Sequence, residues 1–382
     1  MEWIALTFCA VVLAVHLTSA GLAIWRVRRT RDVSSSAHDL SSVQDWPAVS
    51  IIRPVCGLDP LDEMTLRSTF ELAHRNTELL FCAARANDEA VPLVCRLIAE
   101  HPHIRARLLI GDDGATANPK LNNIIKGWDA AQATWVVIAD SNVLMPANYI
   151  AQLFGAMRDD TGLVCSPPIG SQPDGFWAEV ECAFLNTYQA RFQLAADTCG
   201  FGFAQGKSML WPKPVLNAAG GIRALGIEIA EDAAATKVVR QHGLRVRLVD
   251  RPFDQPLGVR NRRQIIDRQV RWARLRRATF QLCYLPEVLA GSLPVLASAA
   301  LAAPAIGLDG AEACALLGVV WYGAELALAK AAGWHVSALS PLAWVARDVA
   351  LPVIWLKGWT GDGFTWRGND MTVAEPAAET RA

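Results

Sequence analysis

Hydrophobic positions are spread unevenly along this chain and crowd toward its two ends. Trp3 to Trp25 is almost wholly apolar, interrupted by His16 and a few small polar residues. At about 1.5 Å per residue, one helix of that length crosses a hydrocarbon core of roughly 30 Å. Arg26, Arg28, Arg29 and Arg31 follow at once. Positive charge marks the cytoplasmic end of a span, so the body of the chain is expected inside. The charges come after the apolar run, and the run is longer than a signal-peptide core. Residues 1–28 therefore read as a retained anchor and not as a cleaved leader. The Ser-, Asp- and His-rich stretch 29–48 reads as a linker.

From Val49 the pattern becomes short apolar runs alternating with helical stretches. "VSIIRPV", "LLFCAA", "RARLLIG" and "TWVVIAD" predict strands; "LDEMTLRSTFELAH", "AVPLVCRLIAEH" and "KLNNIIKGWDAA" predict helices between them. Near-continuous apolar strands separated by single helices predict a parallel sheet covered on both faces. Ligands of such sheets lie outside the C-terminal strand ends, which puts Asp88 and the Asp140–Asn142 segment on one rim. Further on, "GLVCSPP" predicts a strand and a long helix runs through Glu181 and Arg191. "GFGFAQGKSMLW" brings Gly200, Gly202 and Gly206, suited to close backbone passage, but it lacks the spacing of a phosphate-binding P-loop. "AAGGI" turns into the helix carrying Asp232, and "LRVRLVD" predicts a last strand. Residues 49–259 thus form one α/β domain.

Arg260 to Arg277 carries eight arginines and one acid, with Ile265, Ile266, Val270, Trp272 and Leu275 at helical steps. That predicts an interfacial amphipathic helix over 260–283, apolar residues in the acyl boundary and arginines toward phosphates. A basic helix in plain solvent is the alternative. Residues 284–360 are apolar again. Pro286–Leu308 and Ala313–Ala332 predict a membrane hairpin, the second helix interrupted by Glu325 and Lys330. "SPLAWVARDVALPVIWLK" holds Arg347, Asp348 and Pro352 in its middle: it either spans or dips in and returns, a cytosolic tail favouring the re-entrant form. Residues 361–382 form a polar tail.

Composition sharpens this only in part. The 382 residues are 52% hydrophobic and carry a net charge of −1, which gives no bias toward nucleic acid. Nine cysteines without a C-x-x-C pair argue against a zinc site or a disulfide framework and fit a reducing compartment.

Three acidic positions and one helix face are chemical candidates. Asp140 ends an apolar strand with Asn142 two residues on. Such oxygens can hold Mg²⁺ or Mn²⁺ against a diphosphate, although an Asp there equally starts a turn. Asp232 opens a helix whose dipole favours its ionised form, suited to a general base or simply to a cap. Asp88 suits a ribose or base edge. Arg268, Arg271 and Trp272 share one helix face and offer forks for phosphate, or alternatively for lipid headgroups.

The order Asp88, Asp140, Asp232 and R-x-x-R-W at Arg268–Trp272 resembles the ceramide glucosyltransferases, a membrane-bound family with the GT-A fold (glycosyltransferase family 21). "PVCGLDP", "NPKLNN", "AGGI", "IAED" and "TWRGND" carry the likeness further, clearly over about 49–285. The resemblance implies inverting transfer of a hexose, glucose being expected, from a UDP-sugar to a lipid hydroxyl on the cytosolic side of the cell inner membrane or its equivalent. Ceramide is the expected acceptor; diacylglycerol or a hopanoid is the alternative. Asp88, Lys120, Asp140, Arg268, Arg271 and Trp272 would serve the donor, Asp140 and Asn142 a Mg²⁺ or Mn²⁺ ion, and Asp232 would be the base. Arg85 stands where relatives often have an acid, and the second motif reads D-S-N, not D-x-D. The competing class is a non-catalytic scaffold binding anionic lipid through the arginine helix; the partners in either case include the bilayer and no nucleic acid.

Overall fold

The computed structural model describes residues 1–36 and 46–373; part of the expected linker and the end of the expected tail lie outside them. The strands are β1 (Val49–Val55), β2 (Thr77–Ala83), β3 (Ala106–Ile110), β4 (Trp135–Ala139), β5 (Thr161–Cys165), β6 (Ile169–Asp174), β7 (Ser208–Pro212), β8 (Arg245–Leu248), β9 (Asp254–Val259), β10 (Gly363–Trp366) and β11 (Asn369–Thr372). The chain divides into two compact units. One comprises residues 30–169, 196–256 and 363–382; the other comprises residues 1–29, 170–195 and 257–362. Against the expected bounds, residues 170–195 and 257–259 leave the α/β domain for the helical unit, and the tail from Gly363 joins the α/β unit.

The α/β unit is built on a seven-stranded sheet in the order β3-β2-β1-β4-β7-β5-β8. β1, β4 and β5 are buried along nearly their whole length, as strands covered on both faces must be. The expected parallel sheet is in fact mixed. β7 runs antiparallel to both β4 and β5, and it forms from "SMLWP", for which the sequence pattern predicts no strand. Leu210 and Trp211, both fully buried, explain why that short stretch is drawn into the sheet. Strand order reverses between β1 and β4, and a crevice at such a switch point is where ligands bind in open α/β sheets. Asp140 follows β4 directly.

The helical unit carries residues 2–29 of the first helix (Glu2–Ser36), apolar enough to span a membrane, and Gly310–Ala332, which meets the same test. The first helix runs on to Ser36, into the expected linker, because neither Gly nor Pro interrupts it there. The predicted 286–308 segment bends instead of forming a straight arm: Gln281–Leu289 and Ser292–Ile306 meet at 51°, with Pro286, Gly291 and Pro294 around the break. The last apolar segment, for which a span and a re-entrant dip were both open, is one continuous helix, Ser340–Trp359, with Pro352 inside it. Its charges are answered within the unit. Arg347 Nη2 lies 2.8 Å from Glu325 Oε1, its Nε donates to Asp348 at 2.9 Å, and Thr187 donates to Glu325 at 2.7 Å. A buried charge cluster so fully paired is compatible with an apolar surrounding.

The arginine helix spans Arg262–Thr279 and starts with a capping box formed by Asn261 and Gln264. Part of its apolar stripe is covered by protein. Ile265, Val270 and Ala273 are buried in one cluster with Phe184, Trp344 and Ile354.

Candidate active site

The C-terminal rim of the sheet concentrates the ionisable groups. Asp140 leaves β4, and the turn after it is clamped from below: the buried Arg53 donates to Ser141 O at 2.7 Å and Val143 O at 3.2 Å, and Thr65 donates to Ser141 O at 2.6 Å. Asp140 is bracketed by two ammonium groups, Lys120 at 2.7 Å on Oδ1 and Lys207 at 2.9 Å on Oδ2. Burial pushes its carboxyl up, but the two lysines outweigh burial and hold it well below the usual carboxylate range. Asp140 is therefore an anion at any physiological pH.

Lys120, expected on the donor, has another occupation. It sits on the Pro119–Ala130 helix, whose start is fixed by Asn118 accepting from the Lys120 and Leu121 N–H groups. Its three N–H donors go to Asp140, to Glu231 at 2.6 Å and to Gly206 O at 2.8 Å. Asn118 also donates to Glu231 at 2.8 Å. Lys120 thus ties the β4 rim to the first turn of the Glu231–Gln241 helix.

Asp232 lies in that same first turn. Its Oδ2 accepts from Gly206 N–H at 3.2 Å and its Oδ1 from Ala233 N–H at 2.8 Å. Burial and the adjacent Glu231 raise its carboxyl from 3.8 to about 6, with Lys120 and the two N–H groups pulling the other way. A carboxylate poised near neutrality is what proton abstraction requires. Gly206 makes the approach possible: a Cβ there would meet Glu231 Oε1 at 2.9 Å and Lys120 Nζ at 3.4 Å.

Asp140, Lys120 and Asp232 are thus brought into one constellation, linked through Lys120, Glu231 and Gly206. Asp88 stands on the same rim after β2, half-buried. Its carboxylate accepts from Gly57 N–H of the "PVCGLDP" motif and from Ala90 N–H, both at 2.9 Å, so it fastens two rim loops together. Asp59 of that motif pairs at 3.2 Å with Arg367, at the turn of the β10–β11 hairpin. Arg268, Arg271 and Trp272 belong to the helical unit. Arg268 bonds the fully buried Glu181, which also faces Arg260 at 3.7 Å; Trp272 packs on Ala178, Cys182, Leu185 and Leu257.

Three contributors escaped the sequence reading. Lys207 follows Gly206 in a glycine-rich stretch whose spacing matches no phosphate-binding motif, so the lysine itself carries no signal. Glu231 precedes Asp232 on the same helix turn, and sequence alone does not say that both face one site; Lys120 reaches Oε1 of the one and Gly206 N–H donates to the other. Arg53, inside a strand, gave no pattern signal.

The donor set at Asp140 suits a hard cation. Lys207 Nζ lies between Asp140 Oδ2 and Asn142 Oδ1, the second at 3.2 Å, so the two expected ligands already converge on one cationic position. Two oxygens leave the remaining coordination to substrate phosphate and water, a usual pattern for Mg²⁺. Among the described residues no cluster of three His, Cys, Asp or Glu forms a ready-made metal cage.

Comparison with known proteins identifies the family of the chain. Ceramide glucosyltransferase 3 of Caenorhabditis elegans is 26% identical over 344 residues, covering 88% of this chain and 75% of that protein. Ceramide glucosyltransferase 1 of the same animal is 29% identical, covering 70% of this chain and 56% of the relative, so the chain spans little more than half of it. Among solved structures, the mannosyltransferase PcManGT from Pyrobaculum calidifontis in complex with GDP-Man and Mn²⁺ aligns over 93% of this chain and 97% of its own, at 17% identity and a TM-score of 0.47. Glucosyl-3-phosphoglycerate synthase from Mycobacterium tuberculosis with Mn²⁺ and UDP-glucose aligns over 59% of this chain and 75% of its own, at 14% identity and a TM-score of 0.34. The profile described as Glycosyl transferase family 21 matches residues 9–378, nearly the whole sequence, and the chain belongs to that family of glycosyltransferases.

Proposed function

We propose that this glycosyltransferase moves a hexose, glucose being expected, from a UDP-sugar to the primary hydroxyl of ceramide with inversion at the anomeric carbon. The observation that carries the reading is the Asp232 carboxylate, raised to about 6 and held beside the Lys120–Asp140–Lys207 charge cluster. The lipid oxygen forms a bond to the anomeric carbon as the bond from that carbon to the UDP oxygen breaks. Asp232 takes the hydroxyl proton. Lys207, about one-sixth exposed at its side chain, supplies positive charge where the diphosphate leaves. Lys120 holds Asp140 and Glu231 in register; Asp88 braces the loops expected to cradle the nucleoside.

Asp140 and Asn142 would hold Mg²⁺ or Mn²⁺, which when bound neutralises charge on the departing diphosphate. Arg271 and Trp272 carry over from the family motif as donor and acceptor residues. Apolar helices at both ends, with arginines after the first, support a membrane protein whose α/β unit lies on the cytosolic side.

The test uses purified full-length protein with several UDP-sugars and with ceramide or diacylglycerol in mixed micelles. Glucosylceramide formation that needs a divalent cation is expected. Transfer to diacylglycerol alone, or no transfer from any UDP-sugar, would overturn the reading.

A further inference from the structure

Lys207 reaches the rim through a register that only the folded sheet creates. β4 and β7 run antiparallel with Ala139 opposite Ser208, and the Asp140 N–H donates to Lys207 O at 3.1 Å. That bond zips the backbone of residue 207 to the strand end carrying Asp140 and leaves the side chain to reach across it. Its Nζ lies 2.9 Å from Asp140 Oδ2 and 3.2 Å from Asn142 Oδ1. These are the two oxygens assigned above to a divalent cation. An ammonium and a divalent ion cannot share them. Both need the same lone pairs, and like charges within about 3 Å repel strongly in a partly buried site.

The other ammonium on Asp140 is built to stay. Lys120 joins three segments, donating to Asp140 Oδ1 at 2.7 Å, Glu231 Oε1 at 2.6 Å and Gly206 O at 2.8 Å. Withdrawing it would leave Glu231, 10% exposed at its side chain, without the cation beside it. Lys207 differs. Its contacts with Asp140 and Asn142 lie on a single turn, and its side chain is 16% exposed against 10% for Lys120. A lysine head on a flexible four-carbon stem can swing away while the backbone stays paired. A cation leaving Asp140 needs another anion, and a donor diphosphate placed at this rim brings one.

We propose that Lys207 holds the metal's place before the donor arrives and yields it on binding, its ammonium passing from Asp140 and Asn142 to the diphosphate. The inference rests on the metal reading given above and deepens it by assigning how the site is loaded. Two consequences separate this role from a plain structural ion pair. Lys207 opposes metal binding when no nucleotide is present. Metal and nucleotide then favour each other, because the diphosphate receives the ammonium that the metal displaces, and such coupling is reciprocal.

The experiment measures Mn²⁺ binding, not turnover, on full-length protein in detergent. The readout is the electron paramagnetic resonance signal of free Mn²⁺, corrected for Mn²⁺ held by UDP itself. Wild type should bind Mn²⁺ weakly alone and about tenfold more tightly with UDP. Lys207→Met should bind Mn²⁺ alone about tenfold more tightly than wild type, the worth of one charge-assisted hydrogen bond that no longer has to be broken, and should gain less from UDP. Lys207→Arg keeps the charge and should stay at or below the wild-type affinity. Lys207→Gln drops the charge but keeps a polar head for Asn142, and it repeats the comparison should the methionine variant fold poorly. Adding Asp140→Ala should abolish the tighter binding. Unchanged or weaker Mn²⁺ affinity in both neutral variants, or tight binding that survives Asp140→Ala, overturns the assignment. No Mn²⁺ bound by any of these proteins, with or without UDP, would sink the metal reading and this inference with it.

Discussion

Replacing Asp232 by Asn should move catalysis and stability in opposite directions. Burial and Glu231 raise this carboxyl from 3.8 to about 6. A carboxyl raised by folding prefers its proton in the native state, so keeping it ionised opposes folding. That penalty is absent below about pH 4, where folded and unfolded chains both hold the proton. It grows between about pH 4 and 6 and is complete above. A shift of two units corresponds to about 3 kcal/mol. Asp232 is partly exposed, and Asn keeps only one acceptor oxygen for the Gly206 and Ala233 N–H groups, so the expected net gain at pH 7.5 is about 1–2 kcal/mol. Thermal unfolding in detergent should then show Tm higher by a few degrees at pH 7.5 and unchanged near pH 4. Loss of the base should lower kcat by about 10²- to 10⁴-fold. Wild-type kcat/KM should fall off below about pH 6, following the Asp232 value. A variant that keeps near-normal turnover, or one destabilised equally at both pH values, would refute the reasoning.

Four further outcomes follow from the same geometry. Gly206→Ala places a Cβ 2.9 Å from Glu231 Oε1, so kcat should drop at least about tenfold with a small change in Tm; steady-state kinetics and a melting curve together decide it. Glu181→Gln removes the anion that Arg260 and Arg268 share at a fully buried site and should cost about 3 kcal/mol of stability, read by denaturant or thermal unfolding. Asp140→Ala should abolish stimulation by Mn²⁺ or Mg²⁺, and an unchanged metal titration would count against its assigned role. Arg271→Ala should remove most activity while leaving the melting temperature near that of the wild type; normal turnover would remove it from the site.

The elements with long uninterrupted signals were legible from the chain alone. Trp3–Trp25 with its trailing arginines, the apolar strands β1, β2 and β4, and the acidic start of the Glu231–Gln241 helix each follow from local rules of burial, charge and capping. Motif order also pointed to Asp88, Asp140 and Asp232. Other features needed the tertiary structure because their causes are non-local. β7 exists because two neighbouring strands offer unpaired edges to five residues with little signal of their own. Part of the apolar stripe of the arginine helix is covered by the Ser340–Trp359 helix, a partner about eighty positions away in sequence. Lys120 and Arg268 look free in sequence; the structure gives each a buried carboxylate, Glu231 and Glu181, since a cation taken out of water needs an anion beside it. Charge type and periodicity are written in the chain, whereas the pairing of charges is decided by which distant segments the fold brings within a few ångströms.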